Sequence, residues 1–65
     1  MSALSNMQRM ETVSVLKTAA QNGLPSDTLQ SIADRYIWNA YHIHAPITEV
    51  AGMCFEAEMK AGTLQ

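Results

Sequence analysis

The stretch Ser26-Asp27-Thr28-Leu29-Gln30-Ser31-Ile32-Ala33-Asp34-Arg35-Tyr36-Ile37-Trp38-Asn39-Ala40-Tyr41-His42-Ile43 carries the clearest periodic signal in the chain. Leu29, Ala33, Tyr36, Ala40 and Ile43 recur at alternating steps of four and three, which returns each to the same side of a helix turning about 100° per residue. Ser26 has the side-chain oxygen of a good N-cap, and Asp27 sets a negative charge beside the positive end of the helix dipole. The spacing therefore predicts a helix over 26–43 with those five apolar positions facing a core. Ile32 and Ile37 widen the stripe. Trp38 lies roughly 180° from Leu29, on the side that also carries Ser31, Asp34, Arg35 and His42. With Tyr41 between the two faces, Ile37, Trp38 and Tyr41 extend the apolar arc around one flank.

Two breaks frame this helix. Asn22-Gly23-Leu24-Pro25 precedes it, and Ala45-Pro46 follows it. Glycine enters the left-handed conformation that ends helices, and the residue before a proline is pushed out of helical geometry. Upstream, Ser5 with Gln8 three residues on is a capping-box pattern, and a helix over 6–21 follows from it. On that helix Val13, Leu16, Ala19 and Ala20 gather on one side and Glu11, Ser14, Lys17, Thr18 and Gln21 on the other. Met7 and Met10 stand off the stripe.

The third segment, 46–61 with Gly62 as its stop, is apolar around most of its circumference. Only Glu49, Glu56 and Lys60 form a compact polar stripe, and Glu56 and Lys60 are spaced for an ion pair. Gly52 sits inside the segment, where glycine is less favourable than alanine by roughly 1 kcal/mol. The expected fold is thus all-α, three helices over 6–21, 26–43 and 46–61, in a single domain spanning 1–65, with 1–5 and 62–65 frayed.

Three short helices cover one face of each member but not two broad faces of both the second and the third. A 65-residue chain buries only about 60% of its unfolded surface, so its core is thin. Surplus apolar surface of this kind is covered by another protein, most simply by a second copy in a homodimer. Trp38, Tyr41, Ile37, Phe55, Met59 and Met53 are the candidate interface, because Trp, Tyr and Met are enriched at such contacts. Leu29, Ala33, Tyr36, Ala40 and Ile43 are expected to pack on Val13, Leu16 and Ala20 and on Ile47, Val50 and Cys54.

No arrangement of residues proposes an enzyme. His42 and His44 are two apart and point away from each other on one helix, and neither a CxxC nor an HExxH spacing is present, so no metal and no cofactor is expected. His44 is expected near the carbonyl end of the second helix and His42 in solvent. A lone Cys54 in an apolar run reads as a small buried hydrophobe and fits a reducing compartment. The first residues lack the basic and apolar regions of a signal peptide, and no apolar run approaches the roughly 20 residues of a membrane span. A cytoplasmic protein with no membrane partner is expected.

Arg9, Lys17, Arg35 and Lys60 are scattered, and the net charge of −2 disfavours nucleic acid. Even so, Leu29-Gln30-Ser31-Ile32-Ala33-Asp34-Arg35-Tyr36 resembles the opening helix of a helix-turn-helix unit, and Ile47-Thr48-Glu49-Val50-Ala51-Gly52 has a similar look. Ile37-Trp38-Asn39-Ala40 departs from that pattern where a glycine-containing turn should begin. Two functions follow: a helical interaction module acting as regulator or adaptor, and, as the alternative, a dimeric helix-turn-helix-like DNA-binding transcriptional regulator.

Overall fold

Helix α1 (Asn6–Gln21) starts where the capping box was expected. Gln8 N donates to Ser5 Oγ at 3.2 Å, and Ser5 N donates back to Gln8 Oε1 at 3.0 Å. Two of the backbone donors left free at a helix start are thereby satisfied. The helix ends on Gly23, whose φ of +87° is open to glycine without strain. Leu24 N then donates to Ala19 O and Gly23 N to Ala20 O, closing the last carbonyls in a Schellman motif.

In the computed structural model, which describes residues 2–63, α1 is followed by α2 (Ser26–Tyr41) and α3 (Ile47–Ala61). Among the described residues there is no strand. The helices run up, down and up: Tyr41 near the end of α2 reaches Glu11 near the start of α1, and Ser26 at the start of α2 meets Glu58 near the end of α3. The most extensive contact joins α1 to α3.

The second helix differs from expectation at both ends. Pro25 is its N-cap, and Ser26, freed from capping, donates its hydroxyl to Glu58 Oε2 at 3.0 Å. The helix stops at Tyr41 because His42 turns left-handed, with φ +56°, while its N–H still donates to Trp38 O. That turn carries Ile43 and Ala45 back against the core as loop residues.

The buried core consists of Leu4, Val13, Leu16 and Ala20, then Leu29, Ala33 and Ile37, then Val50, Met53, Cys54 and Ala57. On α2 the buried row therefore advances by fours and takes in Ile37, which is 1% exposed, in place of Tyr36 and Ala40. Rows of i and i+4 wind obliquely around a helix, so a neighbour that crosses at an angle follows that row. Ala40, near the end of the helix, is exposed, and Tyr36 is half-buried. Ile47, expected to pack beneath α2, is exposed instead. Thr12 is the one buried polar residue among those described, and its hydroxyl donates to Gln8 O at 2.8 Å.

The arm before α1, expected to fray, is tied down over residues 2–4. Ser2 Oγ and Leu4 N donate to Glu49 Oε2 at 2.8 and 3.2 Å, and Ala3 N donates to Oε1 at 2.9 Å. Leu4 is thereby held in the core. The Ala3 N–H, and next the Ser2 hydroxyl, hold the Glu49 carboxyl below the usual carboxylate range. At the other end Gly62 closes α3 with φ +76°, and Thr63 N donates to Glu58 O. The fraying expected at Met1, Leu64 and Gln65 falls outside the described residues.

Two outcomes are expected. Ile37→Asp buries an unpaired carboxylate in a domain with roughly 5 kcal/mol or less to spare and abolishes cooperative unfolding, whereas Ala40→Lys changes stability by no more than about 0.5 kcal/mol. Urea titrations followed by circular dichroism distinguish this register from one centred on Ala40. Glu49→Gln weakens the arm clamp in a pH-dependent way. A carboxyl depressed in the folded state stabilises above its unfolded value and loses that contribution as pH falls through the depressed value. The stability gap between wild type and Glu49→Gln is therefore largest near neutrality and closes in acid, as melting temperatures over a pH series will show.

Candidate interaction surface

Trp38 sits in the last turn of α2, and the left-handed turn at His42 brings two imidazoles onto it. The His44 ring stacks on the indole with centroids 4.5 Å apart and planes 12° apart. His42 meets it edge-on at 5.1 Å and 90°. Even so covered, Trp38 remains 43% exposed. It lines a shallow recess with Ile43, His44, Ala45 and the α2 residues Asp34 and Arg35. His42 is exposed, as expected, while one edge of its ring meets the indole; His44, expected to cap the carbonyl end of α2, stacks on the indole instead. The spacing of Trp38 and His42 at i and i+4 is the one signal in the sequence for this grouping. The stacking of His44 depends on a left-handed residue that no spacing rule anticipates.

The other expected interface residues scatter. Ile37 and Met53 are each 1% exposed and belong to the chain's own core, so neither is available to a partner. Tyr41 is half-buried between α1 and α2, and its hydroxyl donates to Glu11 Oε1 at 2.6 Å with Gln8 O 3.4 Å away. Burial, and next the bond to Glu11, push that hydroxyl well above the usual phenol range, so it stays a protonated donor and acts as a strut. Tyr36 meets the Tyr41 ring edge-on at 5.9 Å.

Phe55 and Met59 do face outward, at 54% and 58% exposure. They continue a row that begins with Ile47, 66% exposed, and passes through the small, half-buried Ala51. These four residues are spaced by four along α3, a row that winds from Ile47, beside the buried Cys54, to Phe55 and Met59 on the side opposite the buried Val50 and Ala57. Phe55 and Met59 do not line the Trp38 recess, so the candidate interface divides into two places. A third apolar area was not anticipated as a surface: Met7 and Met10 are about seven-tenths exposed and line a shallow groove with Glu11 and Tyr36.

Two ion pairs centre on Glu56. Glu56 lies between Arg9 of α1 and Lys60 one turn on, the latter at 3.0 Å, and the pairing with Lys60 lowers its carboxyl below the usual range. At this exposure such pairs contribute a few tenths of a kcal/mol. The Cys54 thiol is buried and pushed up, first by burial and then by the nearby Glu58 and Asp34 charges, which leaves it a poor nucleophile. Among the described residues no three His, Cys, Asp or Glu side chains group closely enough to hold a metal ion, and no helix is long and apolar enough to cross a membrane.

Comparison with protein-family models, with curated proteins and with solved structures gave no match. The surface alone therefore carries the functional reading.

His44→Ala removes the ring stacked on the indole and opens one of its faces to water. Trp38 is the single tryptophan, so its fluorescence reports this site alone. The emission maximum is expected to move to longer wavelength with helix content unchanged, and an unmoved maximum would mean that the two rings do not stack in solution.

Proposed function

We propose that this chain is a small helical protein–protein interaction module, a regulator or adaptor that works in the cytoplasm by dimerising or by docking its apolar helix faces on another protein. The observation that carries the reading is the outer row of α3: Ile47, Phe55 and Met59 are each more than half exposed on a helix whose opposite side is already buried. Single exposed hydrophobes are ordinary, but an aligned row of three large ones is the pattern of a contact surface. Trp38 adds a half-exposed aromatic of the kind that anchors interfaces.

A DNA-reading module would ask α3 to present cations to phosphate. Its outward row is apolar, Lys60 is engaged with Glu56, and Glu49 and Glu58 lie on the same helix. These features favour a protein partner over nucleic acid.

A photo-crosslinking amino acid placed at Phe55 in the chain's own cells tests the reading. The expected product is a protein adduct of discrete mass, lost when Met59→Glu is added one turn away. Recovery of uncrosslinked chain alone would leave the row as plain solvent-facing surface. A labelled duplex that shifts on a gel at low salt and is released by added salt would instead support the DNA-binding alternative.

A further inference from the structure

We propose that residues 2–4 are a latch on the side of the bundle: the arm closes on the Glu49 carboxylate with Leu4 as its plug, and it opens, with the helices in place, when that carboxylate loses its charge. The latch does not depend on the outer row of α3 and is tested without a partner protein.

The start of α3 frees the carboxylate for this task. Glu49 is the third residue of the helix, the position from which a glutamate ordinarily reaches back to the N-cap N–H. Here the N-cap is Pro46, which has no N–H to offer. The side chain turns instead to the arm, where it collects the Ser2 hydroxyl at 2.8 Å, the Ala3 N–H at 2.9 Å and the Leu4 N–H at 3.2 Å. All three are donors, so each bond is strongest to the ionised carboxylate. Protonation puts a hydrogen on one of two oxygens that both already face donors.

The arm is separable from the helix it precedes. Among the described residues, the hydrogen bonds that residues 2–4 make outside the arm all go to Glu49. Leu4 N also donates to Ser2 Oγ at 3.3 Å, which folds the three residues into one unit. The start of α1 does not need them, since Ser5 and Gln8 satisfy its free donors through the capping box. Beyond the clamp, the arm is held by a single side chain: Leu4 is buried, whereas Ser2 and Ala3 are exposed. A segment held by one carboxylate and one plug opens at far lower cost than the core of the three helices.

Few charges face the clamp. Arg9 of α1 is the cation that acts on Glu49, and it is already engaged by Glu56. The arm carries no charged side chain, and in the recess beside the clamp Arg9 and Glu49 are accompanied by uncharged residues, among them Pro46, Gly52 and Met53. No charged group of α2 lines that recess. Ionisation of Glu49 itself therefore controls the contact. The Ala3 N–H, and next the Ser2 hydroxyl, depress its carboxyl in the closed state, so the clamp is complete at neutral pH and is lost as pH falls through the depressed value. Opening withdraws Leu4 from the buried cluster it shares with Met53, and Met53 also lines the recess beside the clamp. An apolar side chain and the slot it leaves become accessible together.

Amide hydrogen exchange of the full chain, followed residue by residue by NMR, tests the latch. At neutral pH wild type is expected to protect the Ala3 and Leu4 amides. Glu49→Gln, which replaces the carboxylate with a neutral amide of the same shape, should lower that protection about tenfold while the Leu16, Leu29 and Val50 amides keep theirs. On acidification of wild type, the Ala3 and Leu4 amides should lose protection at a higher pH than the one at which the helices melt. That separate acid step should be missing from Glu49→Gln. A Glu49→Gln arm as well protected as that of wild type overturns the proposal, because the carboxylate is then not what closes it. So does an arm that loosens only together with the helices, in the variant or in acid, since it is then part of the core. Wild-type Ala3 and Leu4 amides that exchange freely at neutral pH overturn it as well.

Discussion

Burial of Val50, Met53, Cys54 and Ala57 along one side of α3 is the constraint on which the other elements depend. A chain of this size has room for a single small core, and these four residues supply much of it. They share the core with Val13, Leu16 and Ala20 of α1 and with Leu29, Ala33 and Ile37 of α2. The polar contacts at the edges reinforce the same arrangement. Glu49 ties down the arm that delivers Leu4, Glu56 draws in Arg9, and Glu58 takes the Ser26 hydroxyl at the start of α2. Each of these three carboxylates lies on α3, so its acidity is largely used in holding its neighbours.

That use of polar groups leaves α3 with an outer row of apolar side chains beside the half-buried Glu58. A helix buried on one side and apolar on the other is the arrangement expected of an element shared between two protein surfaces. The Trp38 recess and the Met7 and Met10 groove are separate areas with different chemistry, the first aromatic and polar at its rim, the second lined by flexible thioethers that adapt to varied shapes.

Local chemistry in the sequence reached all three helices and the ends of α1 and α3, and missed both ends of α2. The Ser5 and Gln8 capping box, the glycine stops at Gly23 and Gly62, and the Glu56 and Lys60 pair all involve residues within a few positions of each other, where spacing rules are strong. The rotation of α2 was less legible. Alternating steps of four and three favoured Tyr36 and Ala40, but the direction in which a neighbouring helix crosses selects the row, and crossing direction is a property of three helices together. Ile37 and Met53, named as interface candidates, lie in the chain's own core. The Glu49 clamp was illegible because its partners are more than forty positions away and two of its three donors are backbone groups common to nearly every residue. The left-handed His42 was hidden similarly: nothing in its neighbourhood distinguishes it from a helix residue until the chain after it turns back.

The pairing of the first helix with the last bears on how the chain acquires its structure in time. Contacts between α1 and α3 span most of the sequence, and the Glu49 clamp closes a loop from the arm to the start of α3. Neighbouring helices form early because closing a short loop loses little entropy, but here the α1 and α2 pair leaves Leu16 and Leu29 without the α3 side chains that complete their burial. During synthesis at roughly 5–20 residues per second the incomplete pair stays exposed until α3 leaves the ribosome. Consolidation is then a single late event in which α3 docks and its outer row first takes the form of a continuous surface. The last helix is thus the element that completes the shared core, and the first two acquire their full burial only through it.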